Sequence, residues 1–127
     1  MLTLVGCGGG EGHSDPSYII APNGQSFTVV DDSVSYHDSI LSGDAHLYAI
    51  PVTSGYRYRV NLDTLAGDSD LYLYYDYTLS NLSLLGFSDF PDLDTDNVSF
   101  YSDFNGYIYV EVYGAVKGEY FISVDQL

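Results

Sequence analysis

Carboxylates dominate the side chains able to do chemistry, and they recur at a spacing of two. Asp68 and Asp70 stand at the head of one apolar run, and Asp92, Asp94 and Asp96 repeat the pattern just after Asp89. In an extended chain residues i and i+2 share a face, so each D-x-D run presents its oxygens together. Ca²⁺ is the expected cation, because it takes six to eight hard oxygen ligands and tolerates irregular geometry. No EF-hand loop is formed, since the Gly and the terminal Glu it needs are missing. The plainer expectation is that Asp68 and Asp70 cap a turn while Asp92, Asp94 and Asp96 lie in a solvated loop.

Catalysis finds no comparable pattern. A Ser–His–Asp arrangement needs a histidine oriented by an acid and within reach of a nucleophile. His13 falls in a glycine-rich stretch, His37 in an expected acidic loop and His46 at the start of an expected strand. None adjoins a G-x-S-x-G element, and three histidines without further cysteines do not make zinc spacing. Paired carboxylates are abundant, but nothing separates an acid from a base among them. The chain is expected to be no enzyme.

Cys7 is the sole cysteine, which excludes an internal disulfide. Leu4-Val5-Gly6-Cys7 looks like a bacterial lipobox, the site where a signal is cut and the cysteine acylated. Yet six residues precede Cys7, none of them basic, whereas a signal peptide carries a charged start and a longer apolar stretch. Either the natural signal is longer or Met1–Cys7 is an apolar N-terminal strand; in the first case the protein would be an outer-membrane lipoprotein. No other segment is apolar enough to span a membrane as a helix.

Charge sharpens the exclusions. Eighteen acidic residues face three basic ones, for a net charge of -15. Phosphate backbones are held by Lys and Arg, so a nucleic-acid partner is excluded, and an anionic membrane would repel the chain equally. Asn81-Leu82-Ser83 and Asn97-Val98-Ser99 are glycosylation sequons, carrying little weight in a chain expected to be bacterial.

The elements that must position these groups are all β. Tyr and Phe, 14 and 6 of them with no Trp, favour pleated surfaces. After the Gly-rich tether at 8–17, apolar runs cover 18–21, 26–30, 45–52, 56–62, 70–77, 82–87, 97–102, 106–113 and 119–124. Turn signals separate them at Pro22-Asn23-Gly24, Ser54-Gly55, Ala66-Gly67-Asp68, Asn105-Gly106 and Lys117-Gly118. Tyr56, Tyr58, Val60 and Leu62 alternate with Arg57, Arg59 and Asn61; Ile108, Val110 and Val112 alternate with Tyr107, Tyr109, Glu111 and Tyr113. Such alternation buries one face and wets the other. The expected fold is a two-sheet antiparallel β-sandwich, jelly-roll or Ig-like, over 18–127, with an extended N-terminal segment at 1–17.

Six pieces, in order, resemble the bacterial pre-peptidase C-terminal domain from about residue 42 to 124. They are Gly43–Ile50, Ser54–Leu62, Asp68–Tyr74, Asn97–Phe100, Asn105–Val112 and Gly118–Val124. The resemblance implies a sandwich appended to extracellular proteins, which binds matrices, aids secretion or folding, and sometimes holds Ca²⁺ at acidic loops. With no peptidase preceding it, the domain is expected to act without a catalytic partner on the same chain.

The expected function is a self-assembling extracellular subunit of a surface filament or coat. Its N-terminal extension would add a strand to a neighbouring copy, a head-to-tail contact that does not close. The alternative is a monomeric or lipid-anchored, Ca²⁺-dependent module for a polysaccharide or protein matrix, since exposed tyrosines can stack on sugars. Either form places the protein outside a bacterial cytoplasm, secreted or at the cell surface.

Overall fold

Period-two alternation becomes two very long strands. The computed structural model describes residues 17–21, 24–77, 82–88 and 96–127. Among them are β1 (Tyr18–Ile20), β2 (Ser26–Val29), β3 (Ser35–Ile40), β4 (Ala45–Val52), β5 (Arg57–Tyr77), β6 (Leu82–Ser88), β7 (Asp96–Tyr101) and β8 (Gly106–Gln126). β5 and β8 have 21 residues each and run antiparallel from Tyr58 opposite Gln126 to Tyr74 opposite Tyr109.

A strand of that length would extend about 70 Å if straight, far more than a domain this size can cover, so the pair must fold over. It bends where the register slips, between Thr64 and Ser69. Gly67 adopts φ 79°, and a Cβ there or at Gly118 would run into the backbone carbonyl of Lys117 or Ala66. The two backbones therefore cross closer than any side chain allows. The sequence expectation of turns at Ala66-Gly67-Asp68 and Lys117-Gly118 is corrected here: these glycines crease continuous strands.

The crease makes two layers from one hydrogen-bonded system. One layer runs β1-β2-β4-β8-β5-β6, using the first half of β8 and the last half of β5. The other runs β3-β8-β5-β7, using the opposite halves. Strands that pass from one sheet to the other at a bend form sandwich corners in this way. Ile50, Leu71, Leu73, Ile108, Val110 and Val112 from the first layer meet Ile40, Val60, Leu62, Phe100, Ile122 and Val124 from the second in one buried core.

Two more expectations change. The sandwich is not wholly antiparallel, because β2 pairs with β4 in parallel, Thr28 opposite Tyr48 and Val29 opposite Ala49. And His37 is in no loop: Ser35–Ile40 forms β3, antiparallel to β8. Its apolar positions are few because it is an edge strand with one wet face.

β1 and β2 pair as a hairpin that folds back against β4 of their own chain. The hairpin brings a second, smaller core. Ala21, Phe27 and Ala49 are buried there, with Ile19, Leu47, Tyr107 and Tyr109 around them. Because Ala49 and Tyr109 alternate with the inward Tyr48, Ile50, Ile108 and Val110, this cluster lies on the outer side of the first sheet.

Candidate functional site

The described acidic residues do not gather in threes. Asp68 and Asp70 lie on β5 just past the crease, opposite Val116 and Tyr113. Asp96 heads β7 opposite Leu62 and is fully buried. Asp92 and Asp94, with Asp89, fall outside the described residues, as do Cys7, His13 and Asn81. Among the described residues no three of His, Cys, Asp and Glu gather as metal ligands would.

A hydrogen-bonded chain that the sequence did not announce crosses the interior instead. The Tyr120 hydroxyl lies 2.6 Å from the Tyr48 hydroxyl and 2.7 Å from His46 Nδ1, and Asp38 Oδ2 lies 3.5 Å from the same nitrogen. Tyr36 stacks on Tyr48 with ring centroids 6.3 Å apart. Acid, histidine and hydroxyl in series resemble a catalytic relay, but the terminal hydroxyls argue otherwise. Burial pushes Tyr48 up to about 12, opposed in part by the hydrogen bond with Tyr120, and pushes Tyr120 further up, with Tyr48 adding to the rise. A catalytic base or nucleophile needs a pKa brought toward neutrality and a path to substrate. These hydroxyls stay protonated inside the core, where the chain satisfies them and ties β3, β4 and β8 together.

The outer face of the second sheet is ordered differently. Register aligns Ser35, Ser123, Asn61 and Asn97 in one row, and His37, Phe121 and Asp63 in the next. His37 Nε2 meets Glu119 at 2.8 Å, and its ring lies 4.7 Å from that of Phe121. Arg59 and Asn61 donate to Asp125 Oδ2 at 3.1 and 3.0 Å. Those two bonds, that from Asn61 first, hold the Asp125 carboxyl below the usual carboxylate range. Elsewhere, a cleft of about 210 Å³ opens beside Asp31, Asp32, Pro51, Tyr58 and Gln126. Bonds from Ser33 keep the Asp31 carboxyl low.

The chain is a crease-folded sandwich with a polar outer face on its second sheet. Its fold is that of pre-peptidase C-terminal domains, in agreement with the sequence resemblance. The pre-peptidase C-terminal domain of a collagenase from Bacillus anthracis superimposes with a TM-score of 0.61 at 17% identity, over 76% of this chain and 92% of that one. A periplasmic inhibitor of g-type lysozyme from Aeromonas hydrophila superimposes with a TM-score of 0.56 at 11% identity, over 76% and 96%. No protein-family model matches the sequence, and no curated protein matches it.

Proposed function

We propose that this chain is a non-catalytic, extracytoplasmic domain that assembles with copies of itself by lending its N-terminal segment to a neighbour. The observation that carries this is the separate small core under the β1–β2 hairpin. The hairpin is held by a parallel pairing two residues long, by Val30 N–H bonding Ala49 O at 2.9 Å, and by Phe27 packed edge-on to Tyr109 at 5.1 Å. It leaves the body through the turn at Asp31–Val34. An element with its own contacts and a short connection can make those contacts on another copy at little cost. Passed on head to tail, the exchange runs on as a filament. The fold neighbours, a collagenase domain and a periplasmic inhibitor, support the extracytoplasmic placement.

Val30 belongs to the main core, so a truncation that tests the idea must stop at residue 29. The decisive variant deletes Asp32 and Ser33, because a shortened hinge prevents the hairpin from reaching its own β4. In 0.15 M salt, where repulsion between chains of net charge -15 is screened, it is expected to elute as oligomers and to show filaments in negative stain. A folded, strictly monomeric product at millimolar concentration would overturn the reading.

A second reading is a monomeric Ca²⁺-dependent module, whose D-x-D run at Asp92, Asp94 and Asp96 supplies hard oxygen ligands. It expects the melting temperature to fall on chelation, and an unchanged value would count against it.

A further inference from the structure

The outer face of the second sheet joins features that the assembly reading does not use. Its inward positions, Val60, Leu62, Phe100, Tyr120, Ile122 and Val124, fill the core. The alternate positions are therefore turned to solvent, and they are polar along β3, β7, the first half of β5 and the last half of β8. Two rings stand out from them: Tyr101, 57% exposed, and Phe121, 39% exposed, which is flanked by His37. Tyr101 is opposite Arg57 and Phe121 opposite Asp63, so the rings lie about 20 Å apart along the strands and about 10 Å across them.

Between the rings lie amide, guanidinium and hydroxyl groups: Asn61, Asn97, Arg59, Ser99 and Ser123. Arg59 and Asn61 are braced by the shared Asp125 carboxylate. The Asn61 amide gives one N–H to Asp125, and an amide carries an oxygen and a second N–H besides. Braced planar donors and acceptors suit adjacent hydroxyl pairs, and a ring face suits the C–H side of a sugar.

Charge selects the ligand further. The face carries Arg57 and Arg59 against Asp63, Glu119 and Asp125, a near balance on a chain whose net charge is -15. An anionic polymer is repelled by the remainder of the molecule, and a cationic one is drawn to that remainder and away from this face. We propose that the outer face of the β3-β8-β5-β7 sheet binds a neutral oligosaccharide chain laid between Tyr101 and Phe121, with Asn61, Asn97 and Arg59 bonding its hydroxyls.

Affinity electrophoresis of the full chain tests this, in native gels containing neutral glucan, xylan or mannan, with anionic alginate as control. Retardation is expected with a neutral polymer and not with alginate. Tyr101→Ala with Phe121→Ala should weaken it about tenfold or more, as the loss of two stacking rings implies. The melting temperature should hold nearly steady, since both rings are exposed. Tyr113→Ala, exposed on the other sheet, should change nothing. Absence of retardation with all three neutral polymers, equal retardation by alginate, or retardation unchanged in the double variant would each overturn the proposal. Because each variant keeps the hairpin and its hinge, failure here leaves the assembly reading untouched, and the hinge deletion tests that reading separately.

Discussion

Two apolar clusters hold the described residues together, and they differ in how they are joined to the sheets. The main core draws on both layers and is bounded by the β5–β8 ladder, which pairs from Tyr58 to Tyr74 without leaving the sheet system. The small core joins one hairpin to the outside of one layer, through a parallel pairing of Thr28 and Val29. Loss of a contact in the first is felt widely, because each strand from β3 to β8 borders it. Loss in the second stops at the hinge at Asp31. Buried area alone does not tell the two apart; connectivity does.

The largest expected effect is therefore Leu73→Ala. Leu73 is fully buried at the centre of the main core, and deleting a buried leucine to alanine costs about 2–5 kcal/mol. Against a total of about 5–15 kcal/mol for a domain, this should lower the urea midpoint of the whole sandwich in a single transition. Phe27→Ala removes an equally buried side chain, for which about 3–5 kcal/mol would apply in a unified core. Here the global loss is capped by what hairpin docking contributes. Amide exchange should show it: the Val30 N–H, bonded to Ala49 O, loses protection at least tenfold, while that of Val110 is unchanged. Equal loss at both sites would mean that the two cores are one.

The interior hydroxyl chain offers a third, smaller contrast within the main core. Tyr120→Phe leaves both the Tyr48 hydroxyl and His46 Nδ1 without their partner and should cost about 1–3 kcal/mol. Tyr48→Phe removes only the end of the chain and should cost about 1 kcal/mol. The pH dependence has a definite sign. Burial raises the folded-state Tyr48 pKa to about 12, above the unfolded value of about 10. Its contribution is therefore complete below about pH 10 and is lost as pH rises toward 12. Alkaline unfolding followed by circular dichroism should begin in that window and be delayed in Tyr48→Phe; an identical alkaline midpoint would show that other groups control it.

Much of the fold was legible because alternation is local. Tyr58, Val60 and Leu62 are buried as their spacing required, as are Ile108, Val110 and Val112. What was not legible depended on residues far apart. Gly67 and Gly118 read as turn residues, and only the partner strand determines that they crease a continuous ladder. The parallel pairing of β2 with β4 leaves no mark in either strand's composition. β3 was missed because Tyr36 and Ile40 alternate with Ser35, His37 and Ser39 too thinly to stand out as an apolar run. His46 was noticed, but its hydroxyl partner is 74 residues away. For the aspartates, spacing put Asp68 and Asp70 on one strand, as β5 has them, but what the fold brings to meet them depends on residues far along the chain.

The smallest effect is expected on the polar outer sheet, and its smallness is informative. Asp125 accepts from Asn61 and Arg59, and these bonds depress its pKa. A depressed carboxylate contributes stability above its unfolded pKa and loses it as pH falls through the folded value. Since the Arg59 and Asp125 side chains are 43% and 50% exposed, water and salt screen the pair, and the contribution should be well under about 1 kcal/mol. Asp125→Asn is thus expected to leave the melting temperature nearly unchanged at pH 7 and to flatten its fall only below about pH 4. If the melting temperature instead drops by as much as in Tyr120→Phe, Asp125 is a structural strut and the face is built to hold the sheet. If it holds, the bracing of Arg59 and Asn61 does little for the fold, and a ligand is the better explanation for side chains kept in order on an exposed surface.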